Sequence, residues 1–474
     1  MLWLCLHLPL LPLEVFVRGG QGRPAAVACK DRGRERVLVC NRAAETLGVS
    51  AGMRMSAAFA LAPTLELHPR SDAKEARALN RLAAWSGQFS DFVSLRAPDA
   101  VLLEIRGSLR LFGGLDTLLR VVGQAADELG FKVNKGVAPT PLAACLLART
   151  GGGVVVGEGW RRQLQKIPSA HLQQSQATLS ALRDMGITTL AGCLRLPRSG
   201  LAKRFGPEFL CYLDRLLGKA AHPLARFEAP LRYAAHIALP AETVSLEALS
   251  FPLKRLLLEL CGILAGRAAG VQELAVELRH SRVPGTSLAI SLVAPNRDAE
   301  HLLMLVRERL DRVSLPAPVL EVGLRVDRFE SLAATSGDLF GRNETAAGER
   351  FLDQLRSRLG AEAVDSVACY PEHRPERAWC TTEPGTEKTA VVMQHPVRPL
   401  WLLPRPQPLP THRGEPCHEG ALTLLEGPER IESGWWDGGD VTRDYFVACN
   451  TRGARYWVFQ ELRRREWFLH GIFA

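Results

Sequence analysis

The chain has 474 residues, of which 47% are apolar and 23% are charged. These proportions are those of an ordinary globular protein and exclude a chain that is mainly disordered, collagenous or fibrous. The 59 Lys and Arg residues outnumber the 50 Asp and Glu residues, so the net charge is +9. This mild excess permits a polyanionic partner without proving one.

The cysteines and the first residues of the chain bear on its compartment. The 11 cysteines are scattered and include no CxxC pair, which favours free thiols in a reducing compartment. Residues Met1–Leu13 alternate like a strand and lack the basic region and the cleavage site of a signal peptide. No apolar run approaches the roughly 18 residues of a membrane-spanning helix. We therefore expect a cytoplasmic protein that does not contact a membrane.

Residues 1–150 are predicted to form an α/β or α+β domain. Short apolar runs predict buried strands at Leu2–Leu8, Ala100–Ile105 and Val133–Ala138. Apolar residues at helical spacing predict helices at Ala73–Trp85 and Leu115–Leu129.

Residues 151–232 carry the densest positive charge, with 12 Lys or Arg against 5 Asp or Glu. Residues 160–218 have helical periodicity throughout, with short breaks at Gly186, Pro197, Gly200 and Gly206-Pro207. Within them, Leu179–Leu196 predicts a helix-hairpin-helix, because Gly186-Ile187 forms a turn and Thr188-Thr189 cap the next helix.

A helix-hairpin-helix points backbone N–H groups at a phosphate, and basic side chains follow this one. We predict DNA contacts at Gly186, Ile187, Thr188, Arg198, Lys203 and Arg204. The alternative is an ordinary pair of antiparallel helices with a solvated basic face.

Residues 233–335 are predicted to form a compact α+β domain with two helices on an antiparallel sheet. The expected strands are His236–Leu239, Val271–Arg279, Ser287–Val293 and Val319–Val326, and the expected helices are Phe251–Ala265 and Ala299–Arg312.

Residues 336–421 are predicted to be a linker. It contains a short helical patch at Glu349–Leu359 and a Pro-rich stretch, Pro396–Pro416, which cannot form a regular helix. Residues 422–474 form an aromatic-rich, strand-like C-terminal module. Its aromatic rings suit either a small β core or a binding surface.

Several stretches, in this order, resemble the Y-family (UmuC/DinB-like) translesion DNA polymerases over residues 1–335. They are Leu47–Met53 in the fingers, Leu102–Ser108 with Leu111–Gly113 in the palm, Gly136–Pro139 in the palm, and the hairpin above. The resemblance implies an α+β multidomain fold. Residues 1–150 would be palm and fingers, 151–232 a helical thumb, and 233–335 a little finger. The linker and the small β-rich C-terminal module would follow.

The family's chemistry is a two-metal phosphoryl transfer, in which carboxylates hold two Mg²⁺ ions. By the resemblance, Cys5 and His7 stand where the first strand of the palm has aspartates. The second metal-binding pair falls at Asp99 and Ala100, so one carboxylate of that pair remains.

The other functional positions of the family are also changed. The segment that grips the triphosphate falls at Arg42–Glu45, with Arg42 for its Tyr and Glu45 for its Arg, and the palm Lys falls at Cys145. One carboxylate does not hold two hard cations, and Glu45 would repel a triphosphate. We therefore expect no catalytic residue, no metal and no cofactor. A soft metal site of Cys5, His7 and Asp99 is conceivable, and a buried thiol with a core histidine is the alternative.

The superfamily contains a branch with this profile, the ImuB-like accessory factors of damage-induced mutagenesis. Gly427–Asp437, Arg443–Tyr445 and Trp467–Ala474 resemble the C-terminal ending of many of its members. The resemblance implies that such a protein bridges a sliding clamp, a RecA-like accessory protein and an error-prone replicative-type DNA polymerase that performs the synthesis.

The linker contains a candidate clamp-binding peptide at Ser336–Phe340. Asp338, Leu339 and Phe340 form a small apolar anchor that resembles the clamp-binding sequence Q-x-D-L-F, with Ser336 in place of Gln. The alternative is a linker Phe that packs on its own domain.

The sequence therefore predicts a catalytically inactive, nucleoid-associated accessory factor in the SOS response and translesion synthesis that binds DNA and the clamp. One alternative is an active but divergent translesion polymerase, which a primer-extension assay with Mg²⁺ or Mn²⁺ would identify. A second alternative is a structural DNA-binding protein without clamp partners, which a pull-down with purified clamp would identify.

Overall fold

The structure is a computed structural model, and it describes residues 1–19, 22–31, 33–332, 344–385 and 398–473. The chain divides into two compact units, Met1–Arg358 and Leu359–Ala474. Each unit has cores of its own and is described separately.

The first 154 residues combine a central sheet with a smaller three-stranded layer. Their elements are β1 Trp3–His7, α1 Leu11–Glu14, β2 Ala25–Asp31, β3 Arg34–Cys40, α2 Arg42–Thr46, α3 Met55–Leu61, β4 Glu66–Pro69, α4 Asp72–Ser86, β5 Val93–Arg96, β6 Ala100–Glu104, α5 Leu115–Glu128, β7 Asn134–Ala138, α6 Pro141–Arg149 and β8 Gly153–Val154. The central sheet has the order β5-β6-β1-β7-β8.

Strand β1 lies at the centre of this sheet, and both of its faces are buried. Leu4 and Leu6 face a core that includes residues of α4 and α5. Trp3 and Cys5 face a second core that includes α6. Successive side chains of a strand point to opposite faces, so a continuous apolar run is what a strand covered on both sides requires.

The smaller layer contains the sheet β3-β2-β4 and helices α2 and α3 around a separate core. Asn41 begins α2, because its Oδ1 accepts a hydrogen bond from the Ala44 N–H at 3.0 Å. The same Oδ1 accepts from the Ala25 N–H at 3.1 Å, so this side chain also joins α2 to β2.

The next region is helical, as predicted. Its helices are α7 Trp160–Leu164, α8 Gln176–Asp184, α9 Leu190–Arg195, α10 Arg198–Phe205 and α11 Pro207–Leu216. Helix α11 packs against α6, which covers one face of the central sheet. The predicted break at Gly200 is wrong, because Gly200 lies inside α10. A single glycine lowers helix propensity without ending a helix.

The following region has the order β11-β10-β12-β9, antiparallel throughout. Its elements are β9 Tyr233–Thr243, α12 Leu246–Ala265, β10 Ala269–His280, β11 Thr286–Asn296, α13 Ala299–Leu310, β12 Val319–Val326 and β13 Glu330–Ser331. Helix α12 begins five residues before the prediction. Ser245 caps it by accepting from the Ala248 N–H at 3.3 Å, and the helix continues through Pro252.

The central sheet and the β9–β12 sheet share one core. Helix α12 packs against α4, and Leu82, Trp85 and Leu256 belong to the same apolar cluster. Glu259, which is fully buried in this contact, accepts hydrogen bonds from Arg18 at 3.0 Å and from Arg81 at 2.6 Å.

One more helix, α14 Glu344–Leu359, follows in the stretch predicted as linker. Its Asp353 accepts hydrogen bonds from the Val293 N–H at 2.7 Å and pairs with His301 Nε2 at 2.9 Å. Both side chains are buried, so this helix is attached to β11 and α13.

The second unit is built on the antiparallel sheet β16-β22-β21-β20-β19. Its strands are β14 Ser366–Cys369, β15 Trp379–Thr382, β16 Trp401–Leu409, β17 Thr411–His412, β18 Glu415–Pro416, β19 Thr423–Ser433, β20 Val441–Cys449, β21 Arg455–Glu461 and β22 Glu466–Ile472. Strand β16 comes from the Pro-rich stretch expected in the linker. It lies at the edge of the sheet, where proline is tolerated because the outer N–H groups need no partner strand.

The aromatic residues of the second unit fall into two groups. Tyr445, Trp457 and Phe459 are buried in a core, and the Tyr445 and Trp457 rings stack with centroids 4.1 Å apart. Trp435 and Trp436 are exposed, at 79% and 59%. The sequence left a small β core and a binding surface as alternatives for these rings. Most of the named rings form a β core, and Trp435 and Trp436 are exposed.

No helix in the described parts of the chain is long and apolar enough to cross a membrane.

Candidate functional site

The positions that resemble polymerase ligands meet at one face of the central sheet. His7 pairs with Ala100 across β1 and β6, and Cys5 pairs with Leu102. Asp99 immediately precedes β6, and its backbone oxygen accepts from the Leu8 N–H at 2.8 Å. The β1–β6 register therefore places Cys5, His7 and Asp99 near one another.

Helix α6 contributes a cation to this group. The Arg149 guanidinium binds the Asp99 carboxylate through both oxygens, with Nη1 to Oδ2 at 3.1 Å and a closer bond from Nη2 to Oδ1. His7 Nε2 lies 3.5 Å from the same Oδ2. Both Asp99 and Arg149 side chains are 25% exposed, so the pair is only partly screened by water.

The pKa of Asp99 is lowered from its ordinary value. Burial acts to raise the pKa, but the hydrogen bonds from His7 and Arg149 and the charge of Arg149 outweigh it. Asp99 is therefore ionised at neutral pH, and its charge is already met by a residue of the chain.

The two buried thiols nearby form a pair. Cys5 on β1 and Cys145 on α6 are hydrogen-bonded, and both are almost completely buried. The hydrogen bond with Cys145, together with burial, raises the pKa of Cys5 well above its usual range. Cys5 is consequently a neutral thiol at neutral pH, and metal binding needs the thiolate.

Side chains from the helical region extend the cluster. Arg96 at the end of β5 donates to Gln173 Oε1 at 3.0 Å, and the Gln173 N–H donates to the Tyr212 hydroxyl at 3.2 Å. Burial raises the pKa of Tyr212 to about 12. These bonds tie the edge of the central sheet to α11.

This set of residues does not fit a pair of Mg²⁺ ions. Magnesium takes oxygen ligands, but Cys5 offers a neutral thiol, Ala100 offers no ligand atom, and the Asp99 oxygens bind Arg149. Within the described ranges, no group of three or more His, Cys, Asp and Glu side chains is placed to hold a metal ion.

The triphosphate-gripping positions lie in the smaller layer. Arg42 and Glu45 are both exposed on α2, whose buried contact is made by Ala44. The exposed Glu45 carboxylate adds negative charge at the position where, by the resemblance, the Y-family polymerases have an arginine.

The predicted helix-hairpin-helix is present as α8, a turn and α9. Gly186 has φ of +74°, a left-handed conformation that glycine adopts without strain. Thr189 caps α9 by accepting from the Gly192 N–H at 3.3 Å. Ile187 is buried, whereas Gly186 and Thr188 are exposed at the tip of the turn.

The turn is fixed by bonds to the preceding segment. The Ser169 hydroxyl donates to the Ile187 carbonyl at 2.7 Å, and the Ser169 N–H donates to the Thr188 carbonyl at 2.9 Å. At the end of α8, the Gly186 N–H donates a hydrogen bond to the Arg183 carbonyl, and the Ile187 N–H donates one to the Leu182 carbonyl. These two N–H groups are therefore engaged inside the hairpin.

The basic residues after the hairpin differ in their surroundings. Arg198 forms a two-pronged ion pair with Asp214 on α11, at 2.9 and 2.7 Å. Lys203 and Arg204 are exposed on α10, and no ion pair holds them among the described residues. These two are the better placed of the three for an anionic ligand.

The candidate clamp peptide lies outside the described residues, because the described range ends at Leu332 and resumes at Glu344. Ser336, Asp338, Leu339 and Phe340 stay a prediction from the sequence.

The sequence prediction missed Arg149. The sequence carried part of the signal, because Cys145 and Arg149 are four residues apart and share a face of a helix, but no helix was predicted where α6 lies. Once Cys145 is assigned to the site, the next residue on that helix face is a cation that reaches the one remaining carboxylate.

The chain is similar in sequence to a protein family and to several known proteins. Residues 20–149 match the model of the impB/mucB/samB family. The chain is 26% identical over 465 residues to Protein ImuB of Caulobacter vibrioides, which covers 90% of this chain and 100% of that protein. It is 23% identical over 252 residues to DNA polymerase IV of Sulfurisphaera tokodaii, covering 51% of this chain and 72% of the relative. The resemblance predicted from the motifs is confirmed.

Two solved structures were also matched. An insertion ternary complex of Dbh DNA polymerase aligns with 70% of this chain and 100% of its own, at 18% identity and a TM-score of 0.41. The DinB crystal structure from Sulfolobus solfataricus aligns over the same shares, at 18% identity and a TM-score of 0.40.

Proposed function

Because the chain carries a domain of the impB/mucB/samB family, we propose that it is a non-catalytic accessory factor in DNA damage-induced translesion synthesis. It binds DNA and a sliding clamp, and it brings an error-prone replicative-type polymerase and a RecA-like protein to the damaged site. Its polymerase-like sheet is a binding scaffold.

The ion pair of Asp99 with Arg149 carries this proposal. A metal-dependent polymerase needs several ionised carboxylates whose oxygens are available to cations. Here one carboxylate remains at the corresponding place, and a guanidinium of the same chain occupies both of its oxygens. The buried Cys5–Cys145 pair supports the same conclusion, because it fills the adjacent space with sulfur atoms, whereas Mg²⁺ takes oxygen ligands.

Primer extension tests the absence of catalysis. The purified full chain is incubated with a primed template, the four deoxynucleotides and Mg²⁺ or Mn²⁺. We expect no templated extension above background. Extension that disappears in the Asp99→Ala variant would identify an active site and overturn the proposal.

We further propose that the helical region binds DNA through Lys203 and Arg204 and through Thr188 at the exposed tip of the turn, since the Gly186 N–H is bonded within the hairpin. Phosphate contacts dominate such binding, so affinity should be insensitive to sequence and steeply dependent on salt. Arg198 is a weaker contributor, because Asp214 already neutralises it.

The DNA test compares two charge-reversed double variants of the full chain. Lys203→Glu with Arg204→Glu should weaken binding and lower the slope of log affinity against log salt by about one to two. The control, Arg309→Glu with Arg312→Glu, makes the same charge change at exposed positions of another region. Equal losses in both variants would show that net charge, and not the helical region, determines binding.

The clamp contact is proposed at Ser336–Phe340, on the resemblance of that peptide to a clamp-binding sequence. The RecA-like and polymerase partners are proposed on the resemblance of the C-terminal ending to ImuB-like proteins. A pull-down of the full chain with purified clamp, and then with each partner, tests these contacts one at a time.

A further inference from the structure

A large cleft lies within the first unit, on a different set of residues from the Asp99 cluster. It has a volume of about 900 Å³. One wall is formed by the segment after α1 and by α4, and the other by β9 and the start of α12.

The second wall is the free edge of a sheet. Consecutive residues of β9, from Ala234 to Ala241, line the cleft, although the side chains from Ala234 to Ala238 alternate between exposed and buried. A strand lines a cavity with consecutive residues when its backbone edge faces that cavity. Within the described residues β9 pairs only with β12, so its outer N–H and C=O groups face the cleft.

The opposite wall is cationic. Lys74, Arg77 and Arg81 project from α4, and Arg18 and Arg255 complete the floor of the cleft. Of the cleft carboxylates, Glu321 pairs with Arg279 at 2.8 Å, and Glu66 lies 3.1 Å from His68 Nε2.

The floor holds more positive charge than its buried carboxylate neutralises. Arg18 and Arg81 both bind Glu259, and Arg255 donates to the Arg18 carbonyl at 2.7 Å. Two guanidinium groups therefore bind one carboxylate, and the third lies beside Arg18. Among the described residues Arg255 makes no ion pair, and burial together with the charge of Arg18 lowers its pKa. An anionic group at the floor would relieve this repulsion.

We propose that this cleft binds an extended acidic segment of a partner protein, which adds to the sheet as a strand beside β9 and places its carboxylates against α4. Strand addition supplies main-chain hydrogen bonds, and the alternate side chains of the added strand point to opposite sides. The exposed Phe251 at the mouth of the cleft provides an apolar contact for a residue of the segment.

A peptide fits this cleft better than a nucleic acid strand does. From Ala234 to Leu239, before Pro240 removes an N–H group, the β9 edge offers hydrogen-bond donors and acceptors at the spacing of a peptide backbone, whereas a phosphodiester backbone only accepts hydrogen bonds. This proposal does not depend on the proposed DNA and clamp contacts.

The experiment selects displayed random twelve-residue peptides on the immobilised full chain. We expect the enriched peptides to carry an excess of Asp and Glu among β-forming residues. A labelled enriched peptide should bind the Lys74→Glu, Arg77→Glu double variant at least about tenfold more weakly than the unmodified chain. The Arg309→Glu, Arg312→Glu variant, with the same charge change and the same spacing, should bind it normally.

Hydrogen exchange then locates the bound peptide. Amides of Tyr233–Thr243 should exchange more slowly when the peptide is bound, whereas those of Thr286–Asn296, the other edge of the same sheet, should not change. Failure to enrich acidic peptides, or protection confined to other segments, would overturn the proposal. An oligo-dT strand that competes for the peptide and is lost in the same double variant would assign the cleft to nucleic acid instead.

Discussion

The geometry of the Asp99–Arg149 pair leads to a quantitative prediction for the free energy of unfolding. Replacing Arg149 by Met keeps most of the side-chain volume but leaves the Asp99 carboxylate without its two guanidinium bonds. A hydrogen bond to a charged group contributes roughly 1.5–3 kcal/mol. Because both side chains are 25% exposed, water replaces part of the loss. We expect about 1–3 kcal/mol of destabilisation at pH 7 for Arg149→Met.

The dependence on pH follows from the lowered pKa of Asp99. A carboxyl group whose pKa is lower in the folded state stabilises the fold above its unfolded pKa, for which the ordinary value is 3.8. That stabilisation is lost as the pH falls through the lowered value. The cost of Arg149→Met should therefore be fully present at neutral pH and should shrink only in strong acid.

The assay is hydrogen exchange followed by mass spectrometry on the full chain, which reports the stability of each segment separately. A cycle of Arg149→Met, Asp99→Asn and the double variant isolates the coupling in peptides that contain Trp3–His7 and Ala100–Glu104. We expect a coupling of about 1–2 kcal/mol. Arg120→Met, an exposed change on α5, is the control. A coupling near zero would refute the view that this pair holds the site together.

Other outcomes can be measured on the same chain. Leu339→Ala with Phe340→Ala should lower clamp affinity about a hundredfold or more without changing thermal stability, and Ser336→Gln should raise that affinity in a surface-binding assay. The buried His470, whose pKa burial lowers from 6.5 to about 4, should lower the protection of the β21–β22 amides, relative to their intrinsic exchange rates, as the pH falls across that interval. The loss should reach roughly 3 kcal/mol, and His470→Phe should remove it. Gly262→Ala should destabilise the first unit by roughly 1–3 kcal/mol in a urea titration, because its Cβ would lie 2.3 Å from a buried indole.

Local patterns in the sequence predicted most elements of the first unit. The strand at Val319–Val326 has the predicted bounds, and the helix predicted at Leu115–Leu129 ends one residue earlier. These elements are buried on a face or on both sides, so their apolar spacing reports their structure directly. The Thr189 cap and the Gly186 turn were likewise visible as residue types.

Features that depend on distant residues were not predicted. The Asp99–Arg149 pair joins residues 50 positions apart, and the contact of Glu259 with Arg18 joins residues 241 apart. Helix α12 was predicted to start at Phe251, but the Ser245 cap begins it at Leu246 and it continues through Pro252. Strand β16 was predicted as linker for its prolines, and only the sheet shows that they lie on an edge.

The contact between α4 and α12 has a consequence for motion. Gly262 and Gly266 bring the two helices so close that added Cβ atoms would meet Trp85 and Gly87. Hinge rotation of the β9–β12 sheet away from the central sheet would separate the Glu259 carboxylate from Arg18 and Arg81. It would also expose to water the leucines that pack around this contact. Such opening is costly enough to be rare. The central sheet and the β9–β12 sheet therefore move onto a ligand as one frame.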